Sequence, residues 1–128
     1  MKPVLISDGI YLGEQQSVKE YGIGHVVNLG LEEEEGAVNF HLIDSGEESP
    51  QNLLKAAKIV VAKVRAKEVP VYVHCRLGIS RSPVVVAIAL VLLKRFKSVE
   101  DALSFIRSVY PRAMPDPGLV DRAKSLFA

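Results

Sequence analysis

An α/β layered domain, with helices covering a mostly parallel sheet of about four to five strands, is the fold class that the sequence predicts. Three observations carry it. Short β-rich runs alternate with helix-spaced segments, and a run of helical segments then closes the chain. The stretch "PVVVAIALVLLKRF", from Pro83 to Phe96, is apolar almost all round, which in a soluble protein implies a helix buried at the centre. No Pro/Gly linker long enough to divide the 128 residues appears, so residues 1–128 read as one domain with a core of its own.

The elements follow in order. "VLISDGIYLG" has apolar runs broken by Ser7-Asp8-Gly9, which predicts a hairpin. "EQQSVKEYG" is polar and weakly helical, with Gly22 and Gly24 as a stop. "HVVNLG" and "NFHLI" read as short strands. Ser49-Pro50 supplies an N-cap and a first-turn proline for a helix running to Lys67, with Leu53, Ala57, Val60 and Val64 inward. Pro70 breaks that pattern, and "VYVH" is a strand. After a loop comes the buried helix, from Ser82. Ser98 starts another, with Ala102, Leu103, Ile106 and Val109 inward and Pro111 ending it. Asp116-Pro117 caps the last, with Val120, Ala123 and Phe127 inward. Tyr11, Phe40 and Tyr72 fall in strand-like runs and read as core.

Bulk composition excludes several functions. The net charge is +1, without the cationic excess of a nucleic-acid binder. One cysteine leaves no internal disulfide and no cysteine-based metal site. His25 and His41 have no ligand company at metal spacing and read as structural. No cofactor is called for. No charged-then-apolar leader opens the chain. The longest apolar run, Pro83 to Leu93, is shorter than the about 20 residues a bilayer needs, so no membrane is expected and a cytoplasmic location is the simplest reading. Glu32 to Glu35, "EEEE", reads as a solvated loop.

The lone thiol, Cys75, stands in "VHCRLGISRS", residues 73–82. This loop joins the carboxyl end of a strand to the amino end of the buried helix, where open α/β sheets bind ligands. The helix start offers unpaired N–H groups and partial positive charge. The backbone from Arg76 to Arg81 can wrap one tetrahedral anion as a nest, with Gly78 allowing the tight turn. Arg81 can fork two hydrogen bonds onto two phosphate oxygens. The same field favours the thiolate of Cys75, a nucleophile aimed at phosphorus. Blander readings exist for each residue alone. A lone cysteine after a strand is most often a small buried hydrophobe, Ser82 before Pro83 is a good N-cap, and Arg81 reads equally as a surface charge. His74, Gly78 and Ser82 in this strand–loop–helix context favour the phosphate site.

"VHCRLGISRS" resembles the signature loop of the cysteine-dependent protein tyrosine phosphatases, in particular the dual-specificity branch. "GIYLG", "YGIGHVVNL", "SVEDALSFIRSVYP" and "PDPGLVDR" extend the likeness over essentially the whole chain. The resemblance implies a metal-independent phosphatase with a shallow pocket, acting on phosphotyrosine and on phosphoserine or phosphothreonine of a protein or peptide. Cys75 would form a phosphocysteine, Arg81 would grip the phosphoryl oxygens, Ser82 would assist the departing sulfur, and His74 would orient the loop. The backbone of Arg76, Leu77, Gly78, Ile79 and Ser80 would complete the cradle, which would also take phosphate, sulfate or vanadate.

The resemblance also implies a general acid, in "HLIDSGEESPQNLL". Asp44 suits the spacing before Cys75, while alignment on Pro50 favours Glu47, with Glu48 beside it; Asp44 is preferred. Solvated loop carboxylates are the bland reading of all three. Leu77 departs from the usual alanine and makes the rim more apolar. Asp116 replaces the usual asparagine and reads as the last helix's cap. Arg76 is basic but Ile79 is not, which argues against inositol lipids. Another phosphate ester (lipid, sugar or RNA 5′ end) and a phosphate-binding pseudophosphatase module are the alternatives.

Overall fold

Ser7-Asp8-Gly9 turns the chain as expected, so that β1 (Val4–Ser7) pairs antiparallel with β2 (Ile10–Leu12). The computed structural model describes residues 2–21 and 24–128, and Gly22 lies outside the described residues. Arg95 holds the turn, its Nη2 and Nε donating to Asp8 Oδ1 at 2.8 and 3.1 Å. These bonds hold the Asp8 carboxyl below its usual value.

The remaining strands are β3 (His25–Asn28), β4 (Val38–Asn39) and β5 (Val71–His74). Sheet order is β1-β2-β5-β3-β4, and every pair except β1/β2 is parallel. β5 is therefore central. Leu12 lies opposite Val73, and Asn28 opposite His74. β2, β3 and β5 thus end along one edge, and the loop after His74 leaves from its middle. The tyrosines at Tyr11 and Tyr72 sit on neighbouring strands and stack at 5.0 Å.

β4 is shorter than the strand expected from "NFHLI". Phe40 and Leu42 still donate to the Asn28 and Leu29 carbonyls at 2.9 and 3.1 Å. At Ile43 the N–H goes instead to Glu48 Oε2 at 2.6 Å, which draws the chain out of the sheet.

The helices are α1 (Gln15–Tyr21), α2 (Pro50–Arg65), α3 (Arg81–Leu92), α4 (Val99–Val109) and α5 (Pro117–Ser125). Ser49 Oγ accepts from Asn52 N and caps α2 as predicted. α2 stops at Arg65, short of the expected Lys67, because Lys67 takes φ +60° and Glu68 N closes onto Lys63 O at 2.8 Å. Leu53, Ala57 and Val60 are buried, and Val64 is partly so. Every side chain of α3 from Ser82 to Leu90 is buried, which explains its unbroken apolar run. α3 begins at Arg81, one residue before the predicted start, with Ser80 at the N-cap.

Ser98 Oγ accepts from Asp101 N, and Ala102, Leu103 and Ile106 of α4 face inward. Val109 was expected inward but is 38% exposed; at the helix end, Tyr110 takes the core position beside it. Asp116 Oδ2 accepts from Leu119 N and caps α5 as expected. Ala123 is buried and Val120 half-buried, but Phe127 is 41% exposed because α5 ends at Ser125 and helical periodicity stops there.

Tyr110 is 1% exposed, and its hydroxyl has no hydrogen-bond partner among the described residues. Burial pushes its pKa up, more than Arg112 pulls it down. An unpaired buried hydroxyl costs about 1–3 kcal/mol. Tyr110→Phe should therefore leave the unfolding free energy in urea unchanged or higher. A loss above about 1 kcal/mol would mean that the hydroxyl is bonded in solution.

Candidate active site

Cys75 follows directly on β5 and is 3% exposed. The loop after it is shaped from outside. Gln15 N takes the Arg76 carbonyl at 3.3 Å, and Met114 N takes the Ile79 carbonyl at 2.6 Å. Gly78 sits between them at φ +73°, where an added Cβ would lie 2.4 Å from the Gly13 carbonyl oxygen. Only glycine fits there. With these carbonyls drawn outward, the backbone N–H groups from Arg76 to Ser82 have no acceptor among the described residues. The N-cap, Ser80, gives α3 no side-chain hydrogen bond, so the first-turn donors stay free. The loop and Asp44 line a cavity of about 120 Å³, room for roughly four waters.

Side chains complete it. Arg81 Nη1 donates to the Leu42 carbonyl at 3.1 Å, while its buried Nε has no partner among the described residues. Ser82, whose bland reading was an N-cap, instead places Oγ 3.4 Å from Cys75 Sγ. His74 is fully buried, with Nδ1 3.1 Å from the Cys75 carbonyl oxygen. An orphaned guanidinium N–H, free backbone donors and a helix N-terminus are the donor set for a tetrahedral oxyanion.

The three candidate acids separate clearly. Asp44 stands at the mouth of the cavity, its Oδ1 accepting from Ser80 Oγ at 2.5 Å. Ser80 Oγ in turn accepts from Asp116 N at 2.9 Å. Glu47 is exposed and does not line the cavity. Glu48 is 4% exposed and bonded inward, to Ile43 N, Ser49 N and Asn52 Nδ2 at 2.6, 2.8 and 3.0 Å. Burial pushes its carboxyl up, but these bonds outweigh it and hold the group below its usual value. Glu48 is a strut for the segment that carries Asp44. That segment rests on α5, where Gly46 and Gly118 meet so closely that a Cβ on Gly118 would lie 2.8 Å from Gly46 Cα. Arg122 Nε donates to the Gly46 carbonyl at 2.7 Å.

Around the mouth, Leu77 is 52% exposed and makes the apolar rim that the sequence suggested. A cleft of about 430 Å³ adjoins across Arg76 and Arg81, walled by Gln15, Gly30, Leu31 and Glu32. His41 bonds the Gly30 carbonyl and Glu33, and His25 lies 3.8 Å from Glu68; neither reaches the cavity. No cluster of three metal-ligating side chains occurs among the described residues. Among the described residues no helix is long and apolar enough to cross a membrane. Two contacts were not foreseen. Glu34, in the run read as a solvated loop, reaches His74, and the buried Asn28 bonds Asn39. An asparagine amid the apolar residues of a buried strand was the one available signal of the second.

Residues 10–123 match the profile of the dual specificity phosphatase catalytic domain. The chain belongs to this family. As a member of the dual-specificity phosphatase family it is an enzyme of the protein phosphatase class. It is 29% identical over 127 residues to protein 123R of Invertebrate iridescent virus 6, named for a tyrosine phosphatase, covering 94% of this chain and 88% of the viral one. Crystal structures of human DUSP28 and of DUSP15 share its fold. DUSP28 gives a TM-score of 0.79 at 21% identity, covering 100% of this chain and 97% of that one. DUSP15 gives 0.81 at 19%, covering 98% and 86%. The fold is likewise similar to PTPMT1 in complex with PI(5)P, with a TM-score of 0.76 at 20% identity, covering 98% and 94%.

The depressed Glu48 carboxyl contributes stability above its usual pKa, and that contribution is lost as pH falls below it. Glu48→Gln should therefore be less stable than the parent near neutrality, and the gap should narrow in acid; equal pH dependence of urea unfolding would contradict this. Gly118→Ala should push the Asp44 segment outward. It should slow turnover on the order of 10–100-fold, while alkylation of Cys75 proceeds at the parent rate. Unchanged turnover would show that the segment does not depend on this contact.

Proposed function

We propose that this phosphatase hydrolyses phosphotyrosine, and phosphoserine or phosphothreonine, in protein or peptide substrates through a phosphocysteine, with residues 1–128 acting as one catalytic unit. The observation that carries the reading is a buried thiol in a cavity walled by N–H donors without acceptors, the Arg81 Nε among them. The donors bind the three non-bridging oxygens and stabilise the charge that spreads over them. The Cys75 thiolate attacks phosphorus. The S–P bond forms as the bond to the leaving oxygen breaks, and Asp44 gives that oxygen its proton. Water then attacks phosphorus, Asp44 takes the proton back, and the S–P bond breaks. Ser82 donates a hydrogen bond to the departing thiolate, which its position 3.4 Å from Sγ supports. His74 and the backbone of Arg76, Leu77, Gly78, Ile79 and Ser80 hold the cradle, and phosphate, sulfate and vanadate should compete for it.

A second substrate class is kept for one reason: PTPMT1, similar in fold, has been crystallised with PI(5)P. Arg76 at the mouth would suit a further phosphate on a lipid headgroup, whereas Ile79 offers no cation. Protein substrates are therefore preferred.

p-Nitrophenyl phosphate with EDTA present tests the proposal. The parent should turn over, and Cys75→Ser should abolish activity with the fold intact. Asp44→Asn should lose about 10²–10⁴-fold and suffer less on an ester whose leaving group needs little protonation. Parent-level turnover by Cys75→Ser would refute the thiol mechanism. A parent that binds phosphate without turnover would be a binding module. Faster release of phosphate from a soluble inositol phosphate than from phosphopeptides would move the substrate to that class.

A further inference from the structure

The proposed chemistry leaves one sheltered carboxylate beside the loop unused. Glu34 belongs to the run Glu32–Glu35, yet its side chain is 12% exposed where that of Glu33 is 75% exposed. Its Oε1 lies 3.1 Å from His74 Nε2. The backbone at Glu34 is clamped by Asn39. Glu34 N donates to Asn39 Oδ1, and Asn39 Nδ2 donates to the Glu34 carbonyl, both at 3.0 Å. Asn39 is itself tied to the sheet, since Asn28 Nδ2 donates to its Oδ1 at 2.8 Å. Asn28 is buried on β3, directly opposite His74 in the register. It also donates to the Glu32 carbonyl at 2.6 Å and accepts from Gly30 N at 3.0 Å.

His74 is therefore held from two sides. Nδ1 faces the Cys75 carbonyl and Nε2 faces Glu34, each at 3.1 Å. A carbonyl oxygen and a carboxylate only accept, so both ring nitrogens are asked to donate. The ring cannot turn over or exchange its two edges without losing a bond. The Cys75 carbonyl that it holds belongs to the peptide where the strand becomes the loop.

We propose that Glu34 is a positioning residue for the nucleophile. Anchored by Asn39 and Asn28, it fixes His74, and His74 fixes the Cys75 peptide and so the aim of the thiol. The proposal rests on the phosphatase reading of the site, but its first readouts do not require turnover.

The test uses Glu34→Ala, Glu34→Gln and, as a control, Glu33→Ala in the full chain. The His74 ring N–H protons are followed by NMR, Cys75 reactivity by its rate of alkylation with iodoacetamide, and catalysis by kcat and KM on an aryl phosphate. The parent should show a slowly exchanging Nε2–H. Glu34→Ala should lose that signal, alkylate more slowly, and drop in kcat on the order of 10–100-fold with little change in KM. That is the size seen when the partner that orients a metal-bound histidine is removed, and fixing the ring is the same task here. Glu34→Gln keeps an acceptor oxygen and should recover most of each loss, while Glu33→Ala should match the parent. Parent-like alkylation and kcat in a folded Glu34→Ala would overturn the proposal. So would equal losses in Glu34→Ala and Glu34→Gln that track only a lower unfolding temperature. If the parent itself does not turn over, the NMR and alkylation results still decide the role of Glu34, and the failure falls on the phosphatase reading alone.

Discussion

The close approach of Gly78 to the Gly13 carbonyl is the constraint on which the site depends. A Cβ at Gly78 would lie 2.4 Å from that oxygen, and the backbone there is left-handed at φ +73°. That conformation costs an ordinary residue about 1–2 kcal/mol even without the contact. The turn lets the chain reverse between Arg76 and Ile79 while their carbonyls face away, to Gln15 and Met114. Inward-facing donors follow from outward-facing acceptors. Gly13 is held by its own position at the end of β2, so the loop is moulded against the sheet edge rather than against solvent.

A buried helix start raises a second demand. α3 is covered on all sides, and its N-cap side chain is given away: Ser80 donates to Asp44 and accepts from Asp116. In an ordinary helix that hydroxyl would satisfy a first-turn N–H. Here the same atom ties the loop after β5, the segment carrying Asp44 and the start of α5 into one unit. Unsatisfied donors are costly in a protein interior. On the proposed function a bound oxyanion supplies their acceptor, and energy withheld from folding is then available for binding and for charge in the transition state.

Legibility in the sequence tracked how local each cause was. The strand-to-helix loop, the caps Ser49, Ser98 and Asp116, and the centrally buried α3 all follow from neighbouring residues, and the structure has them where the sequence put them. The misses arise from long-range partners or chain ends. Ile43 left the expected strand because a glutamate five residues on took its N–H. Val109 and Phe127 had the right spacing but stand at helix ends, where spacing no longer sets direction. Nothing within "EEEE" tells Glu34 from its neighbours, because its distinction comes from His74, 40 residues away. Spacing alone left Asp44, Glu47 and Glu48 together. The fold separates them: Asp44 and Glu47 are both exposed but only Asp44 lines the cavity, and Glu48 is bonded inward.

The central claim is that the Cys75 sulfur itself takes the phosphoryl group. The direct measurement is an acid quench within one turnover of an aryl phosphate, followed by mass spectrometry of the peptide containing Cys75. The account predicts one added phosphoryl group on Cys75 and more of it in Ser82→Ala, where the departing thiolate has lost its hydrogen-bond donor. A turning-over enzyme that shows no adduct at any quench time, or carries it on another residue, would contradict it.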